Sequence, residues 1–431
     1  MSGAGLLGIL VFFLGVMASI ALHEVGHLVP AKRFGVRVTQ YMVGFGPTIW
    51  SKTKGETEYG AKAIPLGGYI RMVGMFPPRR NRDGELVVSA TSTGPFQSMI
   101  EDARRTSADE ISAGEEHRAF YQLTVPKKLV IMLGGPTMNL VLAILLFTIA
   151  LALVGNVEPT PKVFKVAACV PSAAGEKCEA GDPSSPAADA GLQKGDVIVA
   201  INGQTGDSWN DFLAQVRDSA GEQVTLTVER DGETVTLTPT IATTKVENVD
   251  HPGEFYTAGF LGVSPTIAQV RQPISAVPGR MWQFVSLSAQ SVAAIPSKMV
   301  GIWNAAFSNQ ERDVNSPVSL VGVGRISAEV AEGPVPISWK LSSWLLILAS
   351  LNMALFLFNL IPLLPLDGGH VAGALYEGGR RQIARVRHRP DPGPVDVARM
   401  LPVAYTVAIV LIAMSSLLIY ADVVNPIRVG G

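Results

Sequence analysis

The sequence predicts an α-helical polytopic membrane protein with four spans, a β element against the spans on one side and an α/β domain on the other. Three observations predict it. Apolar residues make up 48% of the 431 residues and charged residues only 16%, against about 25% in soluble chains. Four stretches are long and apolar enough for a bilayer, which needs about 20 residues. Between the second and third of these lies a polar stretch, residues 155–340, too long to be a connecting loop.

The first span, residues 1–34, carries no charge until His23 and Glu24. No basic residue precedes Leu6, while Lys32, Arg33 and Arg37 follow. That order fits a retained span rather than a cleaved signal peptide. Residues 35–76 follow, with glycine and proline punctuating short β segments at Gly44-Phe45-Gly46-Pro47 and Ile64-Pro65-Leu66-Gly67-Gly68-Tyr69. Such residues favour bends and hairpins. Two readings stand: a cytoplasmic hairpin, or a re-entrant β element touching the spans, whose backbone would need protein or water around it. Residues 77–128 are polar, with a charged helix expected over 98–120. The second span is 129–154, without a charge.

Residues 163–263 are β-rich, with alternation at Val224–Val228 and Val235–Leu237 around an Asp231-Gly232 hairpin turn. Residues 172–188 read as a flexible insertion. Cys169 and Cys178 flank its start, either bridged or as two free thiols. In residues 273–340, Trp282, Phe284, Trp303 and Phe307 among few charges fit amphipathic helices on the outer membrane surface or a packed extension of the domain. The third span and its sequel are 341–370, a loop is expected over 371–399, and the fourth span is 400–421.

Orientation follows from Lys and Arg. Residues 30–128 hold 15, residues 367–402 hold 6, and residues 155–340 hold 13 against 20 acids. The positive-inside rule puts the first two segments in the cytoplasm and the third outside, with both termini outside. The net charge of −1 excludes a polyanion-binding protein, so no nucleic-acid partner is expected.

The chemistry concentrates in His23-Glu24-Val25-Gly26-His27. On a helix the two histidines share one face and can share one zinc ion, with Glu24 beside them as the base for a water molecule. Ionisable groups inside a span are costly and are functional by default. Two histidines need a third ligand. His117, His251 and His388 lie in polar stretches, whereas Asp367 ends the third span in Asn359-Leu360-Ile361-Pro362-Leu363-Leu364-Pro365-Leu366-Asp367-Gly368-Gly369-His370. Spans one and three both run inwards, so His23, His27 and Asp367 arrive at one depth near the cytoplasmic face. His370 is the weaker ligand candidate. Asn139, after Gly134-Gly135-Pro136, and Asn359 are candidates to donate hydrogen bonds to an oxyanion or substrate backbone, or else to join helices.

These motifs resemble the site-2 protease family of intramembrane zinc metalloproteases. The likeness lies in His23-Glu24-x-x-His27, in Asn359…Pro362…Pro365-Leu366-Asp367-Gly368, and in Gly135-Pro136-x-x-Asn139. It extends to the bacterial branch with an extracytoplasmic PDZ domain: residues 188–203 look like part of one, and Gly259-Phe260-Leu261-Gly262-Val263 looks like its closing strand or ligand-binding loop. Ser316–Arg325 looks closest to actinobacterial members. The resemblance implies one zinc ion on His23, His27 and Asp367 and Glu24 as catalytic base; Asn359 and Asn139 are expected to assist it, and Gly259, Phe260, Leu261 and Gly262 are the expected peptide-binding residues. It implies a re-entrant β element beside the substrate. It also implies cleavage of single-span membrane proteins, such as anti-sigma factors or remnant signal peptides, after another protease has shortened them. The expected location is the plasma membrane, in contact with lipid. Two other readings are a catalytically silent PDZ scaffold and a metal-ion transporter. The intact Glu24 argues against the first, and the clustering of charges at one depth against the second.

Overall fold

The computed structural model describes residues 2–77, 114–170, 181–206, 208–247, 255–308 and 316–427, with 100, 104, 106–107, 109, 111, 178 and 312–313. It divides into two units, residues 1–154 with 272–431, and residues 155–271.

The first unit opens with helix α1 (Gly3–Arg33), capped by Ser2, whose hydroxyl accepts from the Gly5 N–H. Strands β1 (Val38–Lys54) and β2 (Thr57–Met72) follow. Each bends on itself. Val38–Phe45 pairs with Ile64–Met72 on one side and, over Gln40–Val43, with Glu58–Ala61 on the other, while Thr48–Lys54 pairs with Thr57–Lys62. Four segments thus lie side by side in the order 64–72, 38–45, 57–62, 48–54. The bend in β1 sits at Gly44 and Gly46, with φ of +95° and +82°, a region closed to most L-residues. A Cβ at Gly44 would lie 2.8 Å from the Ile64 carbonyl oxygen. The glycine-punctuated segments are therefore one folded-over sheet rather than a simple hairpin. Tyr41 donates its hydroxyl to the Ala21 carbonyl of α1 at 2.8 Å, which ties the sheet to the helix.

Helix α2 (Val125–Thr148) begins four residues before the expected span, with Pro126 in its first turn, and its last residues, Ile149–Val154, wind as a π-helix. Of the charged helix expected over 98–120, the described residues 100, 104, 106–107 and 109 are α-helical. Its end holds only 3₁₀ turns at Glu116–Arg118 and Phe120–Gln122.

In the second unit, β3 (Asn156–Val166) is followed by a short helix α3 (Pro186–Asp189), β4 (Val197–Ile201), β5 (Gln204–Thr205) and α4 (Trp209–Asp218). Then come β6 (Leu226–Arg230), β7 (Glu233–Leu237), β8 (Ala242–Glu247), β9 (Phe255–Phe260) and β10 (Val263–Val270). One sheet runs β10-β3-β4-β6-β7, with β5 on β4, and β8 pairs β9. The hairpin at Asp231-Gly232 joins β6 to β7 in register, Arg230 opposite Glu233. Its turn residues have φ of +53° and +87°, as a type I′ turn requires. Phe212 and Val216 of α4 close the core over Ile198, Ile201, Leu226 and Val228. Cys169 and Cys178 are bridged. Part of the 172–188 insertion lies outside the described residues.

The first unit resumes with α5 (Val277–Ala293), α6 (Ile295–Phe307) and α7 (Leu320–Glu332). Within 273–340, α7 packs against α1: Ser327 donates to the Gly8 carbonyl at 3.1 Å, and a Cβ on Gly8 would lie 2.5 Å from the Ser327 carbonyl oxygen. The third span is helix α8 (Ile337–Asn359), shorter than the expected 341–370. Residues 360–366 leave the helix, since Pro362 and Pro365 have no N–H to donate. Helix α9 (Asp367–Val386) then occupies much of the expected loop 371–399. Asp367 sits in its first turn and Arg385 in its last, both favourable to the helix dipole. Helix α10 (Leu401–Val424) follows a 3₁₀ turn, Val397–Met400. Four helical stretches, Gly3–Arg33, Val125–Val154, Ile337–Asn359 and Val397–Val424, are long and apolar enough to cross a membrane. The chain is a multi-pass membrane protein.

Candidate metal centre

Three donor atoms converge where α1, α2 and the start of α9 meet. His23 and His27 lie one turn apart on α1. Their Nε2 atoms are 3.3 Å apart. Asp367 Oδ2 is 3.4 Å from Nε2 of His23 and 3.3 Å from Nε2 of His27. Among the described residues this is the one group of three or more such side chains placed to share an ion.

Each ring is aimed by a group on α2. His27 Nδ1 lies 2.7 Å from the Ile131 carbonyl oxygen. A carbonyl only accepts, so Nδ1 carries the proton and Nε2 keeps its lone pair. Asn139, 1% exposed, places its amide 3.1 Å from His23 Nδ1, and its Oδ1 is buried without a partner. Exchanging Oδ1 and Nδ2 of that amide, a change of identity but not of shape, lets Oδ1 accept from a His23 Nδ1–H. Both Nε2 atoms then face Asp367 as bare donors.

Glycine makes this approach possible. A Cβ on Gly135 would lie 2.2 Å from His27 Nε2. Gly26 and Gly134 meet face to face, with a Cβ on either lying 2.0–2.3 Å from the other's carbonyl oxygen. Small residues at a helix crossing allow this close packing inside a membrane.

Asp367 Oδ2 is buried with no hydrogen-bond donor. Two lone pairs and a carboxylate oxygen with no proton among them repel one another unless a cation joins them. Zinc bonds of about 2.0–2.2 Å place tetrahedral donors about 3.3–3.6 Å apart, so the three atoms fit three corners and leave a fourth open. Glu24, 8% exposed, is the next residue after His23, and Gly68 of β2 packs on it, with a Cβ there 3.0 Å from Glu24 Cγ.

The remaining candidates fall elsewhere. Asn359 is the half-buried last residue of α8. His370 stands outside the donor group and borders a small cavity with Lys128 and Glu377. Gly259, Phe260, Leu261 and Gly262 line a cavity of about 150 Å³ against Trp209 and Phe212 of α4. Leu261 itself is core, 3% exposed, and its carbonyl accepts from Ala187. Asn352, fully buried on α8, escaped the sequence reading. Its amide donates to Ser19 Oγ at 2.9 Å, one turn before His23, and joins the two helices.

A sequence profile of peptidase family M50 matches residues 11–390. The chain belongs to peptidase family M50, the site-2 protease family. This M50 peptidase is 34% identical over 435 residues to the zinc metalloprotease Rip1 of Mycobacterium tuberculosis strain H37Rv, covering 98% of each chain. It is also 34% identical over 441 residues to Rip1 of Mycolicibacterium smegmatis, again covering 98% of each. Identity to the zinc metalloprotease RasP of Oceanobacillus iheyensis is 27% over 417 residues, covering 84% of this M50 peptidase and 88% of RasP.

Proposed function

We propose that this M50 peptidase is a zinc-dependent endopeptidase that cuts single-span membrane proteins within the membrane. The observation that carries this is the triangle of His23 Nε2, His27 Nε2 and Asp367 Oδ2, with sides of 3.3–3.4 Å, beside Glu24. His23, His27 and Asp367 are the zinc ligands. Zinc, when bound, polarises the scissile carbonyl and lowers the pKa of water. Glu24 takes the proton of the attacking water and delivers it to the leaving amine nitrogen. Asn359 stands at the mouth of α8 to donate to the developing oxyanion. Asn139 acts through His23, whose ring it orients.

The charge pattern supports a topology with both termini and residues 163–263 outside the cell and the site near the cytoplasmic face. A substrate helix must unwind before its peptide bonds can be reached. The segment 64–72 is an outer strand of its sheet and packs on Glu24 through Gly68. It is the re-entrant element of the resemblance, and an unwound substrate adds to it as a further strand, pairing its exposed backbone. Residues 163–263 form a PDZ-like domain that excludes substrates with large outer parts, and Gly259–Gly262 form its peptide-binding loop. The substrates are anti-sigma-factor-like proteins or remnant signal peptides already shortened outside.

The test is reconstitution in lipid vesicles with a tagged single-span substrate of shortened outer part, and mapping of the cut by mass spectrometry. A cut inside the span, absent with Glu24→Gln, is expected. A cut outside the span contradicts the reading. Removal of 163–263 should admit substrates with intact outer domains, and unchanged exclusion of them contradicts the filter.

A further inference from the structure

Helix α2 supplies the partner of each histidine, Ile131 to His27 and Asn139 to His23. Asp367 stands on a different helix, and nothing in the triangle itself fixes that helix in place. The same α2 carries Lys128 in its first turn. Lys128 Nζ lies 2.8 and 3.0 Å from the two carboxylate oxygens of Glu377 on α9. The two side chains are only 6% and 3% exposed.

Glu377 gathers further donors. Arg381 Nη2 is 2.9 Å from one oxygen, and the Val395 N–H donates to the other at 3.1 Å. A buried carboxylate is tolerated only with its partners in place, so this set fixes α9 both along and around its axis. Glu377 lies ten residues after Asp367, about 15 Å along the helix. Around it, Gly378 sits against Val125, where a Cβ would lie 3.3 Å from the valine side chain, and Val371 packs in the core with Ile131 and Met132.

We infer that the Lys128–Glu377 pair is a positioning device for the metal site: it sets the register of α9 on α2 and so holds Asp367 where His23 and His27 are already aimed. All three ligands are then referenced to one helix, the histidines directly and the aspartate through this ion pair. Glu377 and Lys128 are positioning residues and touch neither metal nor substrate. The inference rests on Asp367 being a zinc ligand, as proposed above.

The test is a double-mutant cycle on zinc affinity, measured by chelator competition on the full-length protein in detergent at a temperature where every variant remains folded. A misplacement of about 1 Å caused by a change far from a site can cost about 100-fold, and here it would fall on a ligand oxygen. Glu377→Gln is expected to weaken zinc binding by about tenfold or more in the wild-type background and by less than about twofold in the Asp367→Ala background. Equal weakening in both backgrounds, or none in either, overturns the inference. If Asp367→Ala alone leaves zinc affinity unchanged, the ligand assignment fails instead. Lys128→Arg keeps the charge but moves the cation, so it carries the same cycle if Glu377→Gln cannot be recovered folded. It has the same expected and overturning results.

Discussion

Replacing Gly135 by alanine should disable the metal site while leaving the spans assembled. The added methyl carbon would lie 2.2 Å from His27 Nε2 and 2.7 Å from Cε1 of His23. Unstrained contacts between such atoms begin near about 3.5 Å, so on the order of 1 Å must be found by moving an imidazole or separating α1 from α2. The imidazole cannot retreat freely, because Nδ1 of His27 is held on Ile131 at 2.7 Å. The helices cannot separate freely either, because Gly26 and Gly134 are in backbone contact. A misplacement of about 1 Å at a reacting centre costs about 100-fold, and here it falls on a ligand atom. Zinc affinity and kcat/KM should each fall by about 100-fold or more. The assay is chelator competition for zinc alongside cleavage of a single-span substrate. Gly379→Ala serves as the control, since a Cβ there meets nothing within 4 Å. A Gly135→Ala protein that binds zinc within about twofold of wild type would refute the reasoning.

Asn139→Ala removes the partner of His23 Nδ1 and should weaken zinc binding by about 10–100-fold, read by the same competition; an unchanged affinity removes Asn139 from the site. Tyr41→Phe deletes the hydroxyl that donates to Ala21 and should lower stability by about 1 kcal/mol, measured as a loss of protection of the β1–β2 sheet in hydrogen exchange. In the second unit, the Arg230 guanidinium holds the buried Asp196 carboxyl below its ordinary range. A depressed folded pKa contributes stability that is present above the ordinary carboxylate pKa, about 3.9, and is lost as pH falls towards the folded value. Hydrogen-exchange protection of β4 and β6 should therefore fall below about pH 4 in wild type, and Asp196→Asn should lower it at neutral pH and abolish that acid dependence.

The four spans and the donor set were legible because both rest on strong, local signals. Hydropathy over 20 residues reports a span, and His23-Glu24-x-x-His27 on a helix has few other uses. What stayed hidden depends on side chains from distant segments. The packing of Gly26 on Gly134 is written as ordinary glycines. Nothing in the neighbours of Asn352 marks which face of α8 meets Ser19, so the sequence does not set it apart. The expected loop 371–399 is helical as far as Val386 because Ala374 and Glu377 are buried against α2, and buried Glu377 reads as surface charge until Lys128 is set beside it. The sheet of residues 38–72 was legible in its bends, at Gly44 and Gly46, but its doubled pairing needs the long-range register.

The measurement that tests the account most directly is zinc content paired with cleavage in wild type, Glu24→Gln and Asp367→Ala, each purified in detergent and given the same single-span substrate. Wild type should hold one zinc and cut. Glu24→Gln should keep its zinc and lose about 10²–10⁴-fold in rate, and Asp367→Ala should lose zinc and activity together. A Glu24→Gln protein that cuts as fast as wild type, or an Asp367→Ala protein that retains zinc at wild-type affinity, would contradict it.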